Sequence, residues 1–185
     1  MSNPYPIDEL NPYSPLRVWL YDALNASFPV DGDWDDRHPE FYRWTYLTHA
    51  DCLRLFEKKP GFTTCTSFLQ IVHNKIRDAG KAKMPFFAPF ALHVCGAGRG
   101  WHTLAEADRE PQDGDFFQLG TATKTKHVGI FHRVFGNVCT TVAGGADTRG
   151  VCGRIRRSMG VFPPADFMGW LDIEEFYAGW KGPGA

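Results

Sequence analysis

The chain has 185 residues, with 20 Lys and Arg against 21 Asp and Glu and a formal net charge of -1. Hydrophobic residues make up 43% and aromatic residues 15%, which excludes a disordered polymer and allows a substantial core. The near balance of charge provides no whole-protein field for non-specific binding, so neither nucleic acid nor an anionic membrane is expected as a partner.

No apolar run reaches the roughly 18 residues that a membrane-crossing helix needs. The amino-terminal stretch carries Pro4, Pro6, Pro12 and Pro15 with Asp8 and Glu9. It lacks a basic segment followed by an apolar one, so the expectation is synthesis in the cytoplasm without a Sec signal.

In chain order, Ser14-Pro15 reads as an N-cap with proline in the first helical turn, and Leu16, Trp19, Leu20, Ala23 and Leu24 follow at helical spacing. A second helix is expected from His38-Pro39, carrying Phe41, Trp44 and Leu47. Thr48-x-x-Asp51 resembles a capping box, and Pro60-Gly61 ends that element. The next helix opens near Cys65, with Phe68, Leu69, Val72 and Ile76 on its buried side and Gly80 at its end. Residues 85–101 hold Phe86, Phe87 and Phe90, then Cys95, Gly96, Gly98 and Gly100, and read as a loop lining a cleft. Its glycines do not spell a phosphate-binding loop.

Strands follow. Asp113-Gly114-Asp115 is a turn into Phe116–Leu119, and His127–Val134 and Val138–Val142 form a hairpin across Gly136-Asn137. Val151–Arg157 and Met168–Ile173 complete the set. The fold class is therefore α+β in a single domain: helices over about 14–80, then an antiparallel sheet of about five strands over 113–175.

Five cysteines, an odd number, leave at least one outside any internal disulfide. Cys139 and Cys152 fall on neighbouring strands, where they either pair in an oxidising compartment or serve as small buried hydrophobes. Cys95 and His102 lack the further ligands of a zinc site, and neither metal nor cofactor is expected. His132 lies five residues from His127 and so on the other face, expected to be exposed. His38, His49 and His73 read as surface or helix-end residues, while His93 and His102 flank the glycine-rich loop. Arg154 and Arg156 share one face of a solvated or edge strand.

Cys65 and His127 carry the chemistry. A thiol at a helix start faces unpaired backbone N–H groups and the positive end of the helix dipole, which favour thiolate. An imidazole on a strand can take the thiol proton. The competing reading is a buried, inert cysteine.

Four segments in order resemble the papain-like NlpC-type and CHAP cysteine amidohydrolases of bacterial cell walls. They are Thr64-Cys65-Thr66-Ser67-Phe68, Asp113-Gly114-Asp115-Phe116-Phe117, His127-Val128-Gly129-Ile130 and Thr140-Thr141-Val142-Ala143-Gly144-Gly145. The resemblance spans about Phe62 to Asp172. It implies a papain-like fold with Cys65 as nucleophile, His127 as base and a third residue orienting the imidazole. Ala143 stands where these families place that residue, leaving Asp147, or alternatively Thr141, for the role. The implied substrate is an amide of peptidoglycan, such as one in the stem peptide. Together with the missing Sec signal, this implies a phage lysin, or an antibacterial toxin of the type VI effector kind delivered to periplasm or cell wall and met by an immunity protein. Two alternatives are a catalytically inactive papain-like binding module and a thiol hydrolase acting on a cytoplasmic protein or a lipid ester.

Overall fold

The structure is a computed structural model that describes residues 14–35, 38–45, 64–80, 84–106, 109–145 and 154–183. Its described elements, in chain order, are α1 (Pro15–Ser27), β1 (Gly32–Asp35), α2 (Pro39–Arg43), α3 (Thr64–Gly80), α4 (Leu92–Cys95), β2 (Trp101–His102), β3 (Phe116–Thr121), β4 (Lys124–Phe135), β5 (Val138–Gly145), β6 (Arg154–Val161), β7 (Phe167–Leu171) and α5 (Ile173–Phe176). The strands form one antiparallel sheet of seven in the order β1-β6-β5-β4-β3-β7-β2.

The expected sheet of about five strands is thus extended at both edges, by β1 and by β2. Trp34 is flanked by acids, and Asp33 reaches across to Arg154 at 3.2 Å and Arg156 at 2.7 Å. That carboxylate offsets the like charges of the two arginines, so β6 is covered by β1 and is not an edge strand. Inside the expected loop, Leu92–Cys95 forms a helical turn and Trp101-His102 pairs with Leu171 and Trp170. The last strand stops at Leu171, because Asp172 caps α5 by accepting from the N–H groups of Glu174 and Glu175.

The helices begin where sequence places them. Ser14 accepts from the Arg17 N–H at 3.4 Å, and Leu16, Leu20 and Leu24 are buried. The second expected helix is a single short piece ending at Arg43, with Trp44 as its C-cap. Leu47, the Thr48 capping box and Pro60-Gly61 lie outside the described residues. In α3, Phe68, Leu69, Val72 and Ile76 are all buried and pack over β5 and β4 against Val128, Ile130 and Val142. Gly80 ends α3 against the Trp180 ring, where a Cβ would come within 2.1 Å of Cδ1. Phe117, Phe131, Cys139, Ala143 and Trp170 form a second cluster on the other face, with Phe162 and Phe167 packed on it. Cys139 is buried, with its thiol against the Val161 carbonyl at 3.8 Å; Cys152 lies outside the described residues.

A buried ion pair ties the first helix to the sheet. Arg17 donates to the Asp113 carbonyl at 2.6 Å, to Asp115 Oδ1 at 2.8 Å and to Asp172 Oδ1 at 3.3 Å. Asp115 also accepts from the N–H groups of Gln112 and Ile173. Burial pushes the Asp115 carboxyl up to about 7, against the pull of Arg17 and the Gln112 N–H.

Two histidines expected at the surface are inside. His132 is stacked on Tyr21 of α1 at 4.7 Å and shares a hydrogen bond with Asn25 Oδ1 at 3.1 Å. His73 is stacked on Phe87 at 4.5 Å, with Nδ1 3.0 Å from the Tyr177 hydroxyl. Helix α1 packs over the strand face that a solvated sheet would expose, and α5 and the 84–88 segment bury the face of α3 that holds His73. Burial pushes His132 down to about 3, reinforced by Arg157 and Arg133, and His73 down to about 4, reinforced by Arg77. The unfolded chain then holds more protons than the folded one between those values and the ordinary histidine range. Stability from these groups is present above about pH 6.5 and is lost as the pH falls toward 3–4. Urea melts of wild type and His132→Gln at neutral pH and near pH 4.5 should show wild type losing more, by on the order of 2 kcal/mol. Parallel losses in the two proteins would rule this out.

Candidate functional site

Cys65 sits at the tip of α3, in a segment pressed onto the end of β5. The approach is so close that a Cβ on Gly144 would lie 2.2 Å from the Thr64 carbonyl oxygen and 2.7 Å from the Cys65 nitrogen. The Cys65 side chain is 7% exposed and joins the main core beside Phe68 and Leu69.

His127 stands on β4, opposite Leu119 of β3. Alternation along β4 turns Val128 and Ile130 into the main core and His127, Gly129 and Phe131 to the other face. The His127 ring accordingly lies 6.0 Å from the Phe117 ring, which belongs to the second cluster. Burial lowers its pKa, so the imidazole is neutral at pH 7 and able to accept a proton.

The structure therefore brings the start of α3 and the strand that carries His127 to the same end of the sheet, with Cys65 in the main core on one face and His127 beside Phe117 on the other. Sequence reading expected them to meet. The last rung of the β4–β5 ladder is Ile130↔Val142, and both His127 and Gly144 lie beyond it. Neither side chain at the junction is bulky: Gly129 abuts Ala143 on the His127 face, and Gly144 abuts Thr64 on the α3 face.

The third member is not supplied by Thr141. It pairs with Phe131, four residues along β4 from His127, roughly 13 Å at strand rise. Ala143, next along that face, is buried and has no polar atom in its side chain. Asp147 lies outside the described residues.

The other histidines of the expected cleft are engaged elsewhere. His93 Nδ1 lies 3.1 Å from Gln118 Nε2, which donates to Thr125 Oγ1 at 2.9 Å; that hydroxyl donates to the Phe90 carbonyl at 2.7 Å. These bonds anchor the 84–95 segment to the start of β4, near His127. They leave Phe86, Phe90 and Val94 exposed at that end of the sheet. His102 Nδ1 is 2.7 Å from Glu106 Oε2, a bond that holds the Glu106 carboxyl below its usual range. His102, Asp172 and Glu175 present ligand atoms within 4.8 Å of one another. Arg109 already bonds both His102 Nε2 and Glu175, and Asp172 serves Arg17, so the protein's own cations neutralise this cluster. Cys95 donates to the Leu92 carbonyl at 3.5 Å and is no part of it.

Two features of the corner went unread in sequence. Gly144-Gly145 at a strand end is the ordinary sign of a close backbone approach, and here the start of α3, at Thr64 and Cys65, approaches Gly144. The larger apolar pair Val128 and Ile130 also marks which face of β4 enters the core, and hence which face His127 takes. No described helix is long and apolar enough to cross a membrane. No family model, curated protein or solved structure matches this chain.

Proposed function

We propose that the chain is a papain-like thiol hydrolase, with Cys65 as nucleophile and His127 as base. The observation that supports this best is the seating of the Thr64–Cys65 peptide. It starts a helix of 17 residues, over the point where the β4–β5 ladder ends, one strand from a neutral imidazole. The Cys65 thiol gives its proton to His127 as sulfur attacks an amide carbonyl. The oxyanion is held by the backbone N–H at the helix start, the imidazolium then protonates the leaving amine, and water releases the acyl group. This mechanism requires the His127 imidazole to reach the Cys65 sulfur around the open end of the β4–β5 ladder when substrate binds.

The substrate is an amide in a peptidoglycan stem peptide, and the protein acts in the periplasm or cell wall as a delivered antibacterial hydrolase. Both rest on the resemblance of the four segments named above. Purified sacculi incubated with the protein should release muropeptides detectable by mass spectrometry. Intact sacculi alongside cleavage of a general thioester or ester substrate would instead point to a cytoplasmic protein or lipid substrate.

A second reading is favoured by the opposite faces of Cys65 and His127 and by Ala143: a papain-like module that binds a partner without turnover. Under that reading sacculi and small esters are both left uncut.

A further inference from the structure

We infer that Gly144 is a positioning residue: the seat that fixes the height of the Cys65 backbone, and with it the nucleophile and the oxyanion donor, above the sheet. The inference rests on the thiol-hydrolase reading but is tested separately from it.

The constraint at Gly144 is steric. Most strand residues hold a packed helix at arm's length through their side chains. At Gly144 the helix instead rests on bare backbone. A Cβ there would lie 2.2 Å from the Thr64 carbonyl oxygen, 2.4 Å from the Thr64 carbonyl carbon and 2.7 Å from the Cys65 nitrogen. All three are backbone atoms of the helix tip, so no rotamer change relieves the clash. One methyl at position 144 must lift the tip or push β5 away. The displaced atoms include the N–H that polarises the substrate carbonyl.

The neighbouring glycine supplies the control. Among the described residues, a Cβ on Gly145 would meet only Arg154, at 3.7 Å and 4.0 Å, which is ordinary contact. Neither glycine is among the residues with positive φ, so the two differ in space and not in backbone strain. A structural demand for glycine at the end of β5 would affect both positions, whereas a seat for Cys65 affects Gly144 alone.

The test compares Gly144→Ala and Gly145→Ala in the full chain. Three readouts are needed: thermal melting, the kcat and KM for muropeptide release from sacculi, and the rate of iodoacetamide alkylation at Cys65 by peptide mapping. Gly145→Ala should match wild type within about twofold in every readout. Gly144→Ala should melt cooperatively and lose about 100-fold in kcat with KM little changed, the cost of misplacing a reacting group by about 1 Å. Its alkylation rate at Cys65 should also change, while those at Cys95 and Cys139 do not. Wild-type kcat in Gly144→Ala, equal losses in both variants, or loss of cooperative melting in Gly144→Ala would each overturn the inference. If wild type leaves sacculi uncut, the hydrolase reading fails, and alkylation at Cys65 still decides whether Gly144 sets the thiol's position.

Discussion

Cys65→Ala is expected to release no muropeptides from sacculi while keeping a cooperative melt. Under the proposed mechanism the sulfur is the atom that forms the acyl bond, and alanine offers no substitute. Removing a nucleophile costs at least about a thousandfold in kcat, because the residues of such a unit act together and not additively. The folded state should barely notice. Cys65 lies at the tip of α3, while the packing of that helix rests on Phe68, Leu69, Val72 and Ile76 deeper along it. Loss of one sulfur from the core costs about 1 kcal/mol. His127→Ala should produce a comparable loss of turnover, since the proposed mechanism makes His127 the acceptor in the opening proton transfer. Full activity in Cys65→Ala would remove the nucleophile assignment, whatever the His127 variant did.

The second large effect is on stability and lies away from that corner. Arg17→Met should destabilise the protein by about 3–5 kcal/mol in urea melts, the usual cost of stranding one half of a buried pair. Asp115 is fully buried, and Arg17 is the cation that compensates it. Without the guanidinium, the carboxyl would be held only by the Gln112 and Ile173 N–H groups and would become protonated at neutral pH. The double variant Arg17→Met/Asp115→Asn should recover part of the loss, since the amide is neutral without having to take up a proton and keeps an oxygen for the same N–H donors. A loss under 1 kcal/mol in Arg17→Met would mean that water reaches Asp115. Equal losses in the single and double variants would place the effect in packing of the Arg17 stem rather than in its charge.

These two sites show what was legible in the chain. The tip of α3 was readable because a polar Thr-Cys-Thr-Ser run precedes an apolar stripe at helical spacing, and the Gly136-Asn137 hairpin because its turn chemistry is local. The carboxylates of Asp113 and Asp115 were read as a turn, and they are; that Asp115 is sealed against an arginine 98 positions earlier depends on where α1 docks. The same docking buries His132 under Tyr21, and the return of the chain at Tyr177 buries His73. None of these contacts leaves a periodic trace in sequence. Strand β1 went unread because its stabilising partner, the Arg154 and Arg156 pair, is more than a hundred residues away.

The corner itself was read in part. Cys65 and His127 were singled out from sequence, and the structure seats the start of α3 on β5, the strand next to the one that carries His127. The alternation that turns Val128 and Ile130 inward also turns His127 toward Phe117, a consequence of strand geometry available in the sequence itself. Thr141 fell out of consideration for a different reason: the pairing register sets it opposite Phe131, and register is fixed by long-range packing.

Alkylation at pH 6 tests the central pairing most directly, because it reports thiolate at Cys65 without any assumption about substrate. Cys95 and Cys139 serve as internal standards, since burial pushes both thiols up. Iodoacetamide should label Cys65 ahead of both in the native wild type, and His127→Ala should lower the Cys65 rate toward theirs. A Cys65 that stays as inert as Cys95 and Cys139 until the protein unfolds, or one whose rate ignores the loss of His127, would contradict a thiol and imidazole working as one unit.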